Sequence, residues 1–220
     1  MKAIILAAGK GTRLKELTKN TPKCLVKINH KPLIEYQLEI LKNENLSEIC
    51  IIGGYQYKKI KYPNVKFFLN EKYASTNMVY TLFCAREALE NDEDIILSYG
   101  DIVYKKNIFQ KLIRSEEEIN LTIDLNWRSY WEQRMNNPLE DAETLIFDKD
   151  YKIVELGKKA KSYSEINGQY MGLIKIRADI AKQLFKIWSN MDSQKLYDGK
   201  DYENMYMTTF IQYLIDIGIT

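Results

Sequence analysis

The apolar run Ala3-Ile4-Ile5-Leu6 leads without a break into Ala-Ala-Gly-Lys-Gly-Thr-Arg. Its residues do not alternate with polar ones, so positions 2–6 predict a strand buried on both faces, and such strands belong to parallel sheets covered by helices. The rest of the first half repeats this arrangement. Strands are predicted over 48–53, 65–69 and 94–99. Helices are predicted over 33–43, where Pro32 precedes a face of Ile34, Leu38 and Leu41, and over 78–89, with Met78, Leu82, Ala85 and Leu89 in register. This β-α-β order implies an α/β fold, a Rossmann-like, mainly parallel sheet with helices on both faces.

The second half reads differently. Strands over 121–125, 144–147, 153–156 and 170–176 are separated by polar turns, as in a small antiparallel extension, and helices over 178–188 and 202–217 close the chain. No linker, repeat or low-complexity segment interrupts residues 1–220, so one domain is expected.

Composition excludes several functions. A net charge of +2 is too small to draw nucleic acid or an anionic membrane, and no apolar run approaches the ~18 residues of a membrane span. The apolar start is too short for a secretion signal and Lys10, Arg13 and Lys15 follow at once, so a cytoplasmic protein is expected. Cys24, Cys50 and Cys84 are odd in number and widely spaced, as expected of reduced thiols.

A Gly-rich loop after a strand offers backbone N–H groups to phosphate oxygens. Gly9 and Gly11 are followed by Thr12-Arg13, so the Walker pattern is absent, and Leu14 stands where a dinucleotide fingerprint needs its third glycine. Alone, Gly-x-Gly is also what a plain tight turn looks like. Here Arg13 and the Lys23 of Thr21-Pro22-Lys23 add two cations to the loop, the makings of a triphosphate clamp. The one histidine, His30, lies in a turn before Lys31-Pro32 and reads as a surface residue.

Leu-Ala-Ala-Gly-x-Gly-Thr-Arg-Leu followed by Thr-Pro-Lys resembles the signature of the nucleotidyltransferases that activate sugar phosphates and related phosphates. The resemblance spans nearly the whole chain and implies the nucleotide-diphospho-sugar transferase type of fold. It implies that Leu6, Ala7, Ala8, Gly9, Gly11, Thr12 and Gly100 wrap the nucleotide, and that Gly53, Tyr55 and Asn77 contact the base. Arg13 and Lys23 would hold the triphosphate catalytically, and Asp101 of Tyr-Gly-Asp-Ile would hold Mg²⁺. By its residue type, Asp101 also suits a plain turn after Gly100.

The stretch Asn70-Glu-Lys-Tyr-Ala-Ser-Thr-Asn-Met78 is similar to the phosphocholine and phosphonate cytidylyltransferase branch. Thr76-Asn-Met-Val79, Asn137-Pro-Leu139 with Asp141-Ala-Glu-Thr144, and Tyr197-Asp-Gly-Lys-Asp-Tyr202 look like the cytidylyltransferases that make CDP-activated glutamine for capsular phosphoramidate decoration. The implied partners are CTP and a small phosphorylated amine, and the implied cofactor is Mg²⁺. Lys159 would bind the acceptor phosphate, although the family's Glu-Lys-Pro has become Lys-Lys-Ala here, and Gln169 and Tyr170 would lie beside it. Trp127 and Asp141 either hold a cationic amine or belong to a packed lid with solvated acids, and Arg134 could pair with a carboxylate.

Relatives usually continue into a strand carrying Trp-x-Glu-Ile-Asp, whose Asp is a second metal ligand. It is absent before Thr220, so the expectation is that water, Asp201 or Glu203 substitutes. Asp201 and Glu203 read equally as a helix N-terminal pair. Two rival expectations are a sugar-1-phosphate nucleotidyltransferase and a non-catalytic nucleotide-binding subunit.

Overall fold

The computed structural model describes residues 1–219. The chain runs through strands β1 (Lys2–Ala7), β2 (Lys27–Ile28) and β3 (Lys31–Pro32), helix α1 (Leu33–Lys42), and strands β4 (Glu48–Gly53) and β5 (Lys66–Leu69). Helices α2 (Met78–Phe83) and α3 (Arg86–Leu89), strand β6 (Ile95–Tyr99), helix α4 (Lys106–Ile113), strand β7 (Ile119–Asp124) and helix α5 (Trp127–Glu132) follow. Strands β8 (Glu143–Phe147), β9 (Ile153–Lys159) and β10 (Gln169–Ile176) and helices α6 (Ala178–Ser189) and α7 (Met207–Asp216) complete it.

Among the described residues the main sheet has the order β5-β4-β1-β6-β10-β7. β1 pairs in parallel with both β4 and β6, and β4 with β5, while β10 lies antiparallel between β6 and β7. Every residue of β1 is buried. Ile4 and Leu6 face a core shared with α2, α6 and α7, whereas Ala3, Ile5 and Ala7 face one shared with α1 and α4. This two-sided burial is why β1 reads as an unbroken apolar run.

The antiparallel extension divides in two. β7 and β10 join the main sheet, and β8 and β9 form an antiparallel pair apart from it. The helix predicted over 78–89 breaks at Cys84–Ala85, where Ala85 leaves helical geometry (φ −110°, ψ 30°). The last helix begins at Met207 rather than 202; residues 202–204 form a separate 3-10 turn, with Met205 and Tyr206 extended after it. Two helices, α4 and α5, lie where none was predicted. α4 buries Phe109 and Leu112, an i, i+3 pair too short to stand out in the sequence. His30 and Asn29, both at positive φ, make the two-residue turn between β2 and β3.

Candidate active site

The carboxyl ends of β1 and β6 open into a cleft of about 330 Å³, lined by Leu6, Ala7, Ala8, Gly9, Gly11, Thr12, Arg13, Lys23, Asn77, Gly100 and Asp101 among others. The crevice beyond the strand ends is where open α/β sheets bind ligands. Two glycines are required by the fold here. Gly11 adopts φ +65° and a Cβ on it would lie 2.9 Å from the Lys23 Cβ, while a Cβ on Gly100 would lie 2.9 Å from the Leu6 carbonyl. Gly100 instead donates its N–H to that carbonyl at 2.8 Å, binding the turn after β6 to β1.

Gly9 is different. Its φ is not left-handed and a Cβ would meet no protein atom within 4 Å. Among the described residues nothing asks for glycine at this point of the cleft wall, and a side chain here would project into the open cleft. Gly9→Ala is therefore expected to leave Tm unchanged while raising the KM for nucleotide. Equal nucleotide KM values would show that the ligand passes elsewhere.

Charge converges at the cleft. The Lys23 ammonium donates to the Asp101 carboxylate, although the two residues are far apart in sequence. Lys23 is brought there by the 3-10 turn Lys23–Leu25 after Pro22, and Asp101 by the turn that follows β6. Arg13 sits on the loop Thr12–Thr18, whose Thr18 hydroxyl donates to the Gly11 carbonyl at 2.8 Å, and has no ion-pair partner among the described residues. Cys24 also lines the cleft, but burial pushes its thiol up to about 12, so it is protonated at neutral pH and unsuited to nucleophilic attack.

Of the three expected base contacts, Asn77 alone is part of the cleft lining. Gly53 and Tyr55 are not part of the cleft lining. Tyr55 supports it from behind: its N–H donates to the Ala8 carbonyl at 3.0 Å, and its ring lies 6.1 Å from Tyr73, which does line the cleft. The Asn77 side chain caps α2 through the Met78 N–H at 2.9 Å and donates to the Asn204 carbonyl at 3.3 Å. Tyr73, Thr76, Thr81 and Tyr99 were missed as lining residues. Tyr73 was legible only as the single aromatic in a polar stretch.

None of the six residues expected at the acceptor lines this cleft. Of the two readings of Trp127, the packed one describes its surroundings: it is 3% exposed and packed with Ala142, Ala160 and Ile166, with Trp131 edge-on at 5.7 Å. Arg134 lies over the rings of Tyr130 and Trp131 at 5.3 and 5.9 Å. The Lys159 ammonium donates to the carbonyls of Leu139 (2.8 Å) and Glu140, fastening the turn that ends at Asp141. Gln169 donates to the Glu143 carbonyl at 2.9 Å, and the Tyr170 ring meets Tyr99 edge-on at 5.7 Å. Glu143 is partly buried near Tyr99 and Tyr170, and burial raises its carboxyl above the usual range.

The two acids expected to substitute for a second metal ligand are engaged elsewhere. Glu203 pairs with Lys72 at 3.2 Å and is not part of the cleft lining, while the Asp201 carboxylate caps the Asn204 N–H at 3.0 Å. Neither opens the last helix. Both are held in local structure by partners of their own.

A Gly-rich loop, two cations and a carboxylate at the strand ends define a nucleotidyltransferase, and residues 3–138 match the MobA-like NTP transferase domain, so the chain belongs to that family. Within it the chain falls among the cytidylyltransferases. It is 46% identical to the CTP:phosphoglutamine cytidylyltransferase of Campylobacter jejuni, over 98% of this chain and 88% of that one. It is 38% identical to the choline-phosphate cytidylyltransferase of Streptococcus pneumoniae, over 76% of this chain and 68% of the relative. The structure of the CTP:phosphocholine cytidylyltransferase from Streptococcus pneumoniae superposes with a TM-score of 0.67 at 31% identity, covering 98% of this chain and 86% of that one. Among the described residues no helix is long and apolar enough to cross a membrane.

Proposed function

We propose that this protein transfers CMP from CTP to a small phosphorylated amine, phosphoglutamine first and phosphocholine second, with release of pyrophosphate. The observation that carries the reading is the meeting of Lys23 and Asp101 in a cleft walled by Gly9 and Gly11. The 46% identity to a CTP:phosphoglutamine cytidylyltransferase supports the choice of acceptor. On this reading the protein works in the cytoplasm, supplying activated glutamine for capsular phosphoramidate decoration.

The acceptor is already a phosphate anion, so no serine or cysteine nucleophile is needed. Its oxygen attacks the α-phosphorus of CTP in line, and the bond to the pyrophosphate oxygen breaks. The chain's own contribution is position and charge. Backbone N–H groups of the Gly9–Gly11 loop receive phosphate oxygens, Arg13 grips two of them at once, and Lys23 supplies a point charge as negative charge moves to pyrophosphate.

Mg²⁺ suits the donor set. Asp101 is a carboxylate facing the cleft, and among the described residues no group of three or more metal-ligating side chains forms a closed cage. Mg²⁺ is normally held by one or two carboxylates together with substrate phosphates. When bound, it would neutralise charge on the transferring phosphates. Asp101 is the residue assigned to it. Glu203 would have to leave Lys72 to take part.

For the acceptor, the region where Tyr99 meets Tyr170 and Glu143 is the natural continuation of the cleft, because Tyr99 lines the cleft and packs on Tyr170. Asp141 and Asp198 act on Glu143 electrostatically, so three carboxyl groups stand near one another, a setting suited to an ammonium group. Lys159 would reach an acceptor phosphate by exchanging the carbonyls of residues 139 and 140.

The test is pyrophosphate release with CTP, Mg²⁺ and a panel of acceptors. Phosphoglutamine and phosphocholine should be turned over, and CTP should outrun UTP, ATP and GTP because a site built for one base edge leaves polar groups unpaired against another. Turnover of glucose-1-phosphate with none of the amines, or equal rates with UTP and CTP, would overturn the assignment.

A further inference from the structure

We infer that Gln37, a residue of α1 outside the cleft, is a positioning residue for Asp101. Its side chain is fully buried at 0% exposed, and three hydrogen bonds tie it to the end of β6 and the turn that follows. The amide nitrogen donates to the carbonyls of Tyr99 and Ile102, each at 2.8 Å, and the amide oxygen accepts from the Ser98 hydroxyl at 2.7 Å. Tyr99 and Ile102 flank Gly100-Asp101, so one side chain grips the turn on both sides of the carboxylate. The Gly100 N–H, bound to the Leu6 carbonyl at 2.8 Å, fixes the same turn from β1.

The chemistry explains why an amide stands here. Two carbonyl oxygens facing one point need two donors, and the neighbouring hydroxyl needs an acceptor. Gln supplies that set without charge, whereas Glu would lack the donors and Lys would lack the acceptor. Buried carbonyls left without donors would turn away, and the Asp101 carboxylate would move with them. Groups that orient a ligand residue in this way are worth about 10–100-fold in metal affinity or activity when removed.

The inference rests on the assignment of Asp101 in the proposed function, and the experiment separates the two. Gln37→Met keeps the volume and removes all three bonds; Gln37→Glu keeps the shape and the bond from Ser98 but loses both donors. Leu38→Ala, at a buried neighbour that makes no hydrogen bond to the turn, serves as the stability control. Each protein is melted, titrated with Mg²⁺ in the presence of CTP and without acceptor by calorimetry, and assayed for pyrophosphate release.

The Gln37 variants are expected to show Mg²⁺ affinity and kcat both lower by about 10-fold, with the KM for CTP nearly unchanged. Leu38→Ala should lose Tm with wild-type metal affinity and kcat. Ser98→Ala, which removes only one of the three bonds, should show the same split at smaller size and carries the test if neither Gln37 variant folds. Wild-type metal affinity and kcat in every folded variant of this set would overturn the inference. If Asp101→Asn is itself active, the assignment of Asp101 fails instead.

Discussion

Asp101→Asn should lower turnover by about 10³-fold, the scale of removing a charge that organises the transferring phosphates. The substitution keeps the shape of the side chain and an oxygen that Lys23 can still donate to, so what is lost is the negative charge alone. Folding should hardly notice. The Lys23 and Asp101 side chains are 39% and 27% exposed, a range in which an ion pair contributes little to stability. The turn itself is held by backbone bonds and Gln37 rather than by the carboxylate. Pyrophosphate release and a thermal melt decide it: a variant within tenfold of the parent rate would take Asp101 out of the reaction.

Lys23→Ala carries the second large effect, a loss of about 10²–10³-fold in turnover, and with it a change of opposite sign. In the free protein the ammonium occupies the carboxylate that metal would use. Metal alone must displace Lys23, and nucleotide alone must draw Lys23 away and leave Asp101 facing the triphosphate. Together the two ligands exchange the pair for two new ones, so each should favour binding of the other. Removing Lys23 frees Asp101, and Mg²⁺ affinity without nucleotide should rise by up to about fivefold, the equivalent of the ~1 kcal/mol an exposed pair contributes. Arg13→Ala should lose turnover on the same scale but leave metal affinity alone, because Arg13 has no ion-pair partner to release. Calorimetric Mg²⁺ titration of the three proteins reads this directly; tight metal binding by the parent protein without CTP would refute the exchange.

What could be read along the chain was whatever depends on neighbours in sequence. β1 announced its two-sided burial through an unbroken apolar run, and the loop after it announced a glycine-rich, cationic wall of the cleft through Gly9, Gly11 and Arg13. α1 showed its buried face as Ile34, Leu38 and Leu41 at helical spacing. The break at Ala85 was not legible, because the same residues stay on the core side before and after it. Trp127 was not legible either. An aromatic beside acids looks the same whether its faces meet a ligand or, as here, Ala142, Ala160 and Ile166.

The sequence by itself determined the layered α/β arrangement, the position of the Gly-rich loop and the identity of the charged groups, because hydrophobic periodicity and backbone permissiveness are local properties. Only the tertiary structure decided which of those groups meet. Lys23 and Asp101 converge because parallel pairing of β1 with β6 brings the loops that follow them to the same carboxyl end of the sheet. Glu203 was drawn instead to Lys72, and Gln37, a polar residue in an otherwise ordinary amphipathic helix, was buried beneath the turn that bears Asp101. Contacts of this kind depend on chain crossings that no local pattern encodes. Strand pairing put Asp101 within reach of Lys23 and left Glu203 with a surface partner.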